Sequence, residues 1–243
     1  DEINRITAGH SVSLSFDAED DAFVLSGRTT PDDLNLQLEL LAAYVIAPGY
    51  RGEALERFRQ GLPNLYQNLD RTPVGMLQKE VARYVRGGDP RFGYPDEAQL
   101  RSRTFDELRA ALARPLASGY LELSLIGDFD LDKAIEAVRA TFGSLPTRDA
   151  AKPDYAAQRQ VKFPPGGPLR TFSFDTTDPK ALAIVYWPTT DFSHVSEVRR
   201  LFVLARVIGN RLIDRARNAQ GLTYTAQGEH APSQAFPGFG FLY

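Results

Sequence analysis

The chain has 243 residues, with 43% hydrophobic and 24% charged side chains and a formal net charge of -3, the composition of a globular protein of one large or two ordinary domains. Lys and Arg are spread along the whole length, so charge gives no footprint for nucleic acid, and no apolar run approaches the ~20 residues of a membrane helix. Cysteine is absent, which excludes disulfides and thiolate metal sites.

Val12, Leu14 and Phe16 alternate with serines, the period of a half-buried strand. An acidic turn at Asp17 to Asp21 and a return strand at Ala22 to Gly27 complete a hairpin. Thr30-Pro31 reads as an N-cap followed by a first-turn proline. The helix it opens has an apolar stripe of Leu34, Leu38, Leu41, Ala42 and Val45 and stops at Ala47-Pro48-Gly49-Tyr50. A second helix is expected from Gly52 to Asn68. A third starts at Thr72-Pro73 and ends at Gly87-Gly88. Thr104-Phe105-Asp106-Glu107 is a capping box for a helix running to Ala117. Tyr120 to Gly127 reads as a strand with Leu121, Leu123 and Leu125 on one face. Asp130 caps a helix whose predicted buried stripe is Leu131, Ile135, Val138 and Phe142.

Gly143 to Gly167 is rich in Pro, Gly, Ala and charge, a composition that predicts a surface linker. Strands are then expected at Leu169 to Asp175 and Ala181 to Trp187. A long helix follows from His194 to Asn218, burying Val195, Val198, Phe202, Ala205, Gly209 and Leu212, and then strands at Leu222 to Glu229 and Gly238 to Tyr243. The order predicts an α+β fold of mixed, largely antiparallel sheets with helices packed on one face. It divides into a first domain over 1–146, a linker over 147–168 and a second domain over 169–243. Both ends read as cut: residues 1–7 resemble a helix tail, and 236–243 a strand whose next element is missing, so each domain is expected to be incomplete.

The stretch from Arg217 to Tyr224 (RNAQGLTY) carries the chemistry. Arg217 falls on the last turn of the long helix, and Gly221 can end that helix in the left-handed conformation. A guanidinium and a phenol at one helix-to-strand junction suit the holding of a peptide carbonyl and of negative charge developing on it. The plainer alternative is that Arg217 only complements the helix dipole, as Arg211 or Arg215 could, and that the Tyr224 ring only packs. No zinc site accompanies the pair, since a catalytic zinc needs about three protein ligands. The three histidines, His10, His194 and His230, are scattered, and His194-Val195-Ser196-Glu197-Val198 has valine where an inverted zinc motif needs its second histidine. Gly87-Gly88-Asp89 lacks the Lys-Ser/Thr of a phosphate loop and reads as a helix stop.

Four stretches resemble the insulinase/pitrilysin-like zinc metallopeptidases. They are Ser26 to Tyr50 (SGRTTPDDLNLQLELLAAYVIAPGY), Arg86 to Pro95 (RGGDPRFGYP), Leu123 to Pro146 (LSLIGDFDLDKAIEAVRATFGSLP) and Asn210 to Tyr224 (NRLIDRARNAQGLTY). The resemblance implies the architecture of a mitochondrial processing peptidase-like half, specifically the carboxy-terminal half without metal. It implies that Arg217 and Tyr224 reach a zinc site in a homologous partner half, fused or separate, with peptides as substrate. It also implies that this chain holds no cofactor or metal of its own and is inactive alone, and it favours a bacterial periplasmic location. The family often has Glu after this arginine, where this chain has Asn218. The alternative function is a non-enzymatic scaffold or peptide-binding subunit that keeps the peptidase fold. No nucleic-acid or membrane partner is expected.

Overall fold

A computed structural model describes residues 2–167, 169–176, 180–218 and 226–243. In chain order the elements are α1 (Glu2–Ile6), β1 (Ser15–Ala18), β2 (Phe23–Ser26), α2 (Leu34–Ile46), α3 (Gly52–Arg71), α4 (Pro73–Met76), a π-helical turn (Leu77–Val81), α5 (Ala82–Tyr84), α6 (Glu97–Arg101), α7 (Phe105–Ala117), α8 (Leu131–Ala140), β3 (Trp187–Thr189), α9 (Val195–Leu212) with a π-helical continuation (Ile213–Asn218), β4 (His230–Pro232) and β5 (Gly240–Leu242). The fold is α+β, helices with small antiparallel sheets. Contacts gather the chain into two units, Asp1–Arg59 with Arg103–Asp154, and Gln60–Ser102 with Tyr155–Tyr243, so each unit is built from two chain segments.

In the first unit β1 and β2 form the expected hairpin, with Ser15 opposite Ser26 and the Phe16 and Phe23 rings stacked at 5.9 Å. α2 buries Leu38, Leu41, Ala42 and Val45 and packs against α7 and α8. Its start differs from the sequence reading. Thr30-Pro31 forms a turn and the helix begins at Leu34, with Asp33 at the N-cap position. The Asp33 carboxylate does not cap. It accepts from the Ser11 N–H at 2.7 Å and lies 2.6 Å from His10 Nδ1, and those bonds hold it below the usual carboxylate range. The capping box at Thr104 and Glu107 is formed in full. At the other end of α7, Arg148 donates to the carbonyls of Leu116 (2.5 Å) and Gly119 (2.9 Å), groups a helix C-terminus leaves without partners.

α8 is capped by Asp130 as expected, yet it buries Ala134 and Ala137 while Leu131 and Ile135 of the predicted stripe stand 65% and 46% exposed. The buried positions of this helix, which packs against α2, are small side chains, and these permit close helix approach. Leu121, Leu123 and Leu125 alternate half-buried with exposed neighbours, but no ladder forms along 120–126. Strand pairing needs a partner that sequence pattern cannot supply.

In the second unit α3 buries Leu62, Tyr66 and Leu69. Thr72 accepts from Gly75 N at 2.9 Å and opens α4 with Pro73 in the first turn, as the sequence indicates. Gly87 and Gly88, at φ 67° and 82°, end that helical run. Arg83 then holds the following loop by donating to the carbonyls of Phe92 (3.0 Å) and Tyr94 (3.1 Å). Phe92, Phe236, Phe239 and Phe241 form an aromatic core with the Arg86 guanidinium 4.4 Å from the centre of the Phe92 ring. β5 is the central strand of an antiparallel sheet, flanked by β3 and β4. The strands expected at 169–175 and 181–187 are not laddered among the described residues, save that β3 begins at Trp187. The stretch predicted as a linker contributes to both units: Arg148 and Lys152 to the first, where Lys152 pairs with Asp21 at 2.8 Å, and Val161 and Phe163 to the second.

Candidate functional site

The helix that bears Arg217 is fixed at its start, its middle and near its end. At its start, Asp191 accepts from Ser193 N (2.8 Å), Ser193 Oγ (2.5 Å) and, across the unit, Gly238 N (2.5 Å). The Ser193 hydroxyl first, then the Gly238 and Ser193 amides, hold its carboxyl below the ordinary range. In the middle of α9, Phe202 meets His230 edge-on at 5.2 Å. Further along, α9 touches the segment before β4 through backbone alone: a Cβ on Gly209 would lie 2.9 Å from Gly228 N. Val198, Ala205 and Gly209 are buried, as the helical period indicates, while Val195, Phe202 and Leu212 remain more than 40% exposed.

The helix does not end at Leu212. It continues as the π-helical segment Ile213–Asn218, and the backbone of Arg217 belongs to it. π-helical turns are rare and gather at functional sites, because one extra residue per turn rotates the following side chains. The Arg217 side chain and the whole of Tyr224 lie outside the described residues, as does the first half of the strand expected at Leu222 to Glu229. Its last residue, Glu229, exchanges two backbone bonds with Tyr243 (2.7 and 2.8 Å), extending the β4–β5 ladder by one pair.

The three histidines are dispersed. His10 pairs with Asp33 on the first unit. His194 stands at the start of α9, exposed, its Nδ1 3.0 Å from Ser193 Oγ. Val198, where the inverted zinc motif needs histidine, is 2% exposed in the core. His230 is buried, its Nε2 3.1 Å from Thr189 Oγ1 and its Nδ1 without a partner among the described residues. Burial lowers its pKa, opposed by the Glu197 carboxylate. Among the described residues no three metal-ligating side chains converge, so this donor set does not fit a zinc ion. A shallow cleft of about 660 Å3 in the second unit is walled by Tyr66, Asp70, Glu97 and Phe174. Three of its polar groups are already engaged: Asp70 with Lys79 at 2.7 Å, Glu97 with Arg101 at 2.5 Å, and the Tyr66 hydroxyl donating to the Pro95 carbonyl.

Comparison with known proteins bears on these elements directly. The family model described as the peptidase M16 inactive domain matches residues 102–243. The chloroplastic stromal processing peptidase of Arabidopsis thaliana is 19% identical over 192 residues, which are 77% of this chain and 15% of that protein. A protease from Helicobacter pylori is similar in structure, with a TM-score of 0.70 at 17% identity over 99% of this chain and 59% of its own. A ferredoxin protease solved in complex with Arabidopsis ferredoxin gives 0.68 at 17% identity, over 99% of this chain and 26% of its own. At that identity the likeness is one of fold, and this chain spans only part of each relative.

Proposed function

This chain belongs to the peptidase M16 inactive-domain family, the non-catalytic half of M16 proteases, and we propose that it is the substrate-enclosing half of a zinc metalloendopeptidase, lending Arg217 and Tyr224 to the scissile carbonyl. The metal is assigned to a homologous second half, fused or separate, because the donors here do not fit it. The observation that carries the reading is the family match itself, since residues 102–243 include both Arg217 and Tyr224. The anchoring of α9 supports it: the backbone that carries Arg217 continues a helix held at Asp191 and at the Gly209–Gly228 contact, and a donor to a developing charge is best carried on a rigid element. In this role Arg217 donates to the carbonyl oxygen as substrate binds, and the Tyr224 hydroxyl donates to the same oxygen as negative charge develops. Substrates are peptides or extended protein segments. The similarity to a ferredoxin protease solved with ferredoxin supports a protein as a source of such segments.

Steady-state kinetics on a quenched peptide, with the two halves assembled, test it. Tyr224→Phe lowers kcat more than it raises KM, because the lost bond is made mainly in the transition state. Loss of one such donor costs on the order of 10²-fold in kcat, the lower end of the usual range, since a metal shares the oxyanion. Arg217→Ala is at least as damaging, with part of the loss in KM. A Tyr224→Phe protein whose kcat/KM stays within about twofold of the parent, under ~0.5 kcal/mol, removes the pair from the mechanism and leaves the scaffold reading.

A further inference from the structure

Gly209 of α9 and Gly228, just before β4, meet backbone to backbone. A Cβ on Gly209 would lie 2.9 Å from Gly228 N, and a Cβ on Gly228 would lie 3.1 Å from Gly209 N and closer still to the Ala205 carbonyl oxygen. Neither glycine has a positive φ, so each is required by space and not by its own conformation. Gly209 also sits inside a helix, where glycine is disfavoured more than any residue but proline.

Both sides of the contact are fixed. Glu229, next to Gly228, exchanges backbone bonds with Tyr243, and β4 is laddered to β5. α9 is held at its start by Asp191 and in its middle by Phe202 against His230. Contacts between side chains adjust by a change of rotamer. Backbone against backbone has no such freedom and admits one separation. From Gly209 the helix runs through Leu212 into the segment that carries Arg217, about two turns or about 12 Å further on.

We propose that Gly209 and Gly228 are positioning residues: their contact seats the helical run that carries Arg217, and so sets how closely the guanidinium approaches the scissile carbonyl. The inference rests on the role proposed above for Arg217 and adds to it the two residues that place its helix. A methyl on Gly228 meets the Ala205 carbonyl oxygen, which is helix backbone and cannot turn aside. α9 must then shift by roughly 1 Å to restore ordinary contact. A misplacement of that size, made far from the chemistry, can cost about 10²-fold in rate. A methyl on Gly209 meets an amide nitrogen at 2.9 Å and demands a smaller shift.

The test is a kinetic double-mutant cycle on the quenched peptide, with the two halves assembled. Gly228→Ala should lower kcat/KM by about tenfold or more, and Gly209→Ala severalfold. In the Arg217→Ala background Gly228→Ala should cost less than about threefold, because no guanidinium is left to misplace. Partial unfolding gives a different pattern: it removes active molecules whatever stands at 217, so its cost is the same in both backgrounds. Gly75→Ala strains the α3–α4 crossing instead, and at a temperature where melts show it folded it should keep kcat/KM within about twofold of the parent. If Gly228→Ala does not fold, Gly209→Ala carries the same cycle, with a milder clash and a gain in helix propensity. Equal losses in the two backgrounds overturn the positioning role and leave Arg217 in place. So do folded glycine variants that keep kcat/KM within about twofold of the parent. An Arg217→Ala protein as active as the parent overturns the role of Arg217 itself, and this inference with it.

Discussion

Two helical glycines in the second unit give a sharp test of how its helices meet. Gly61 and Gly75 both sit inside helices, where alanine is favoured by roughly 0.8–1 kcal/mol on propensity alone. From sequence, both substitutions should stabilise. The structure separates them. A Cβ on Gly61 meets nothing within 4 Å. A Cβ on Gly75 would lie 2.5 Å from Leu69 Cα and 2.7 Å from the Leu69 carbonyl oxygen, and closer still to the Asn68 carbonyl oxygen. Carbon atoms rest about 3.5–4 Å apart, so α4 must move by roughly 1 Å. The obstacle is backbone of α3, and Leu69 beside it is 1% exposed within the Leu62–Tyr66–Leu69 cluster. Overpacking of this kind costs about 1–3 kcal/mol, more than propensity returns. Gly75→Ala is therefore expected to destabilise by about 1–2 kcal/mol after the propensity gain, and Gly61→Ala to stabilise by about 0.5–1 kcal/mol. Urea unfolding followed by Trp187, the single tryptophan and a β3 residue of the same unit, reads both. If Gly75→Ala melts at or above the parent's midpoint, the α3–α4 crossing is not as described.

Two further outcomes follow from particular groups. His230 is buried with its pKa pushed below the ordinary 6.5 by desolvation, so the unfolded chain binds its proton more readily than the folded one. Its stabilising effect is complete above pH 6.5 and declines as pH falls toward the depressed folded value. His230→Gln should flatten the pH dependence of the Trp187 unfolding midpoint as pH falls below about 6.5, and an unchanged slope would mean that His230 is not the titrating group. For the domain boundary proposed at 147–168, brief chymotrypsin treatment should cut first after Tyr155, which is 48% exposed; a first cut after a residue in 121–125 would contradict that boundary.

What could be read from the sequence divides by the range of the interactions involved. Thr72, Thr104 and Asp130 cap as expected because the cap and its amide are three residues apart, within one turn. Gly87 and Gly88 stop their helix because only their own backbone angles are at stake. The errors begin where a distant residue decides. Thr30 yields the start of α2 because Asp33 is drawn to His10 and Ser11, more than twenty residues back. Leu131 and Ile135 carry the right period, but α8 buries Ala134 and Ala137 instead, and period alone does not say whether bulk or closeness wins at a helix crossing. The extended stretches at 120–126 and 169–175 keep strand-like composition without ladders.

The candidate site follows the same rule. Val198 closes the question of an inverted zinc motif, since one residue on a periodic stripe is both buried and unable to bind metal. Arg217 is the complementary case: its place on the helical run was legible from the apolar period of that helix, and its backbone belongs to the run that follows Leu212. The π-helical form of that run was not legible, because a shift in hydrogen-bond register changes no residue type and leaves the apolar positions where they were.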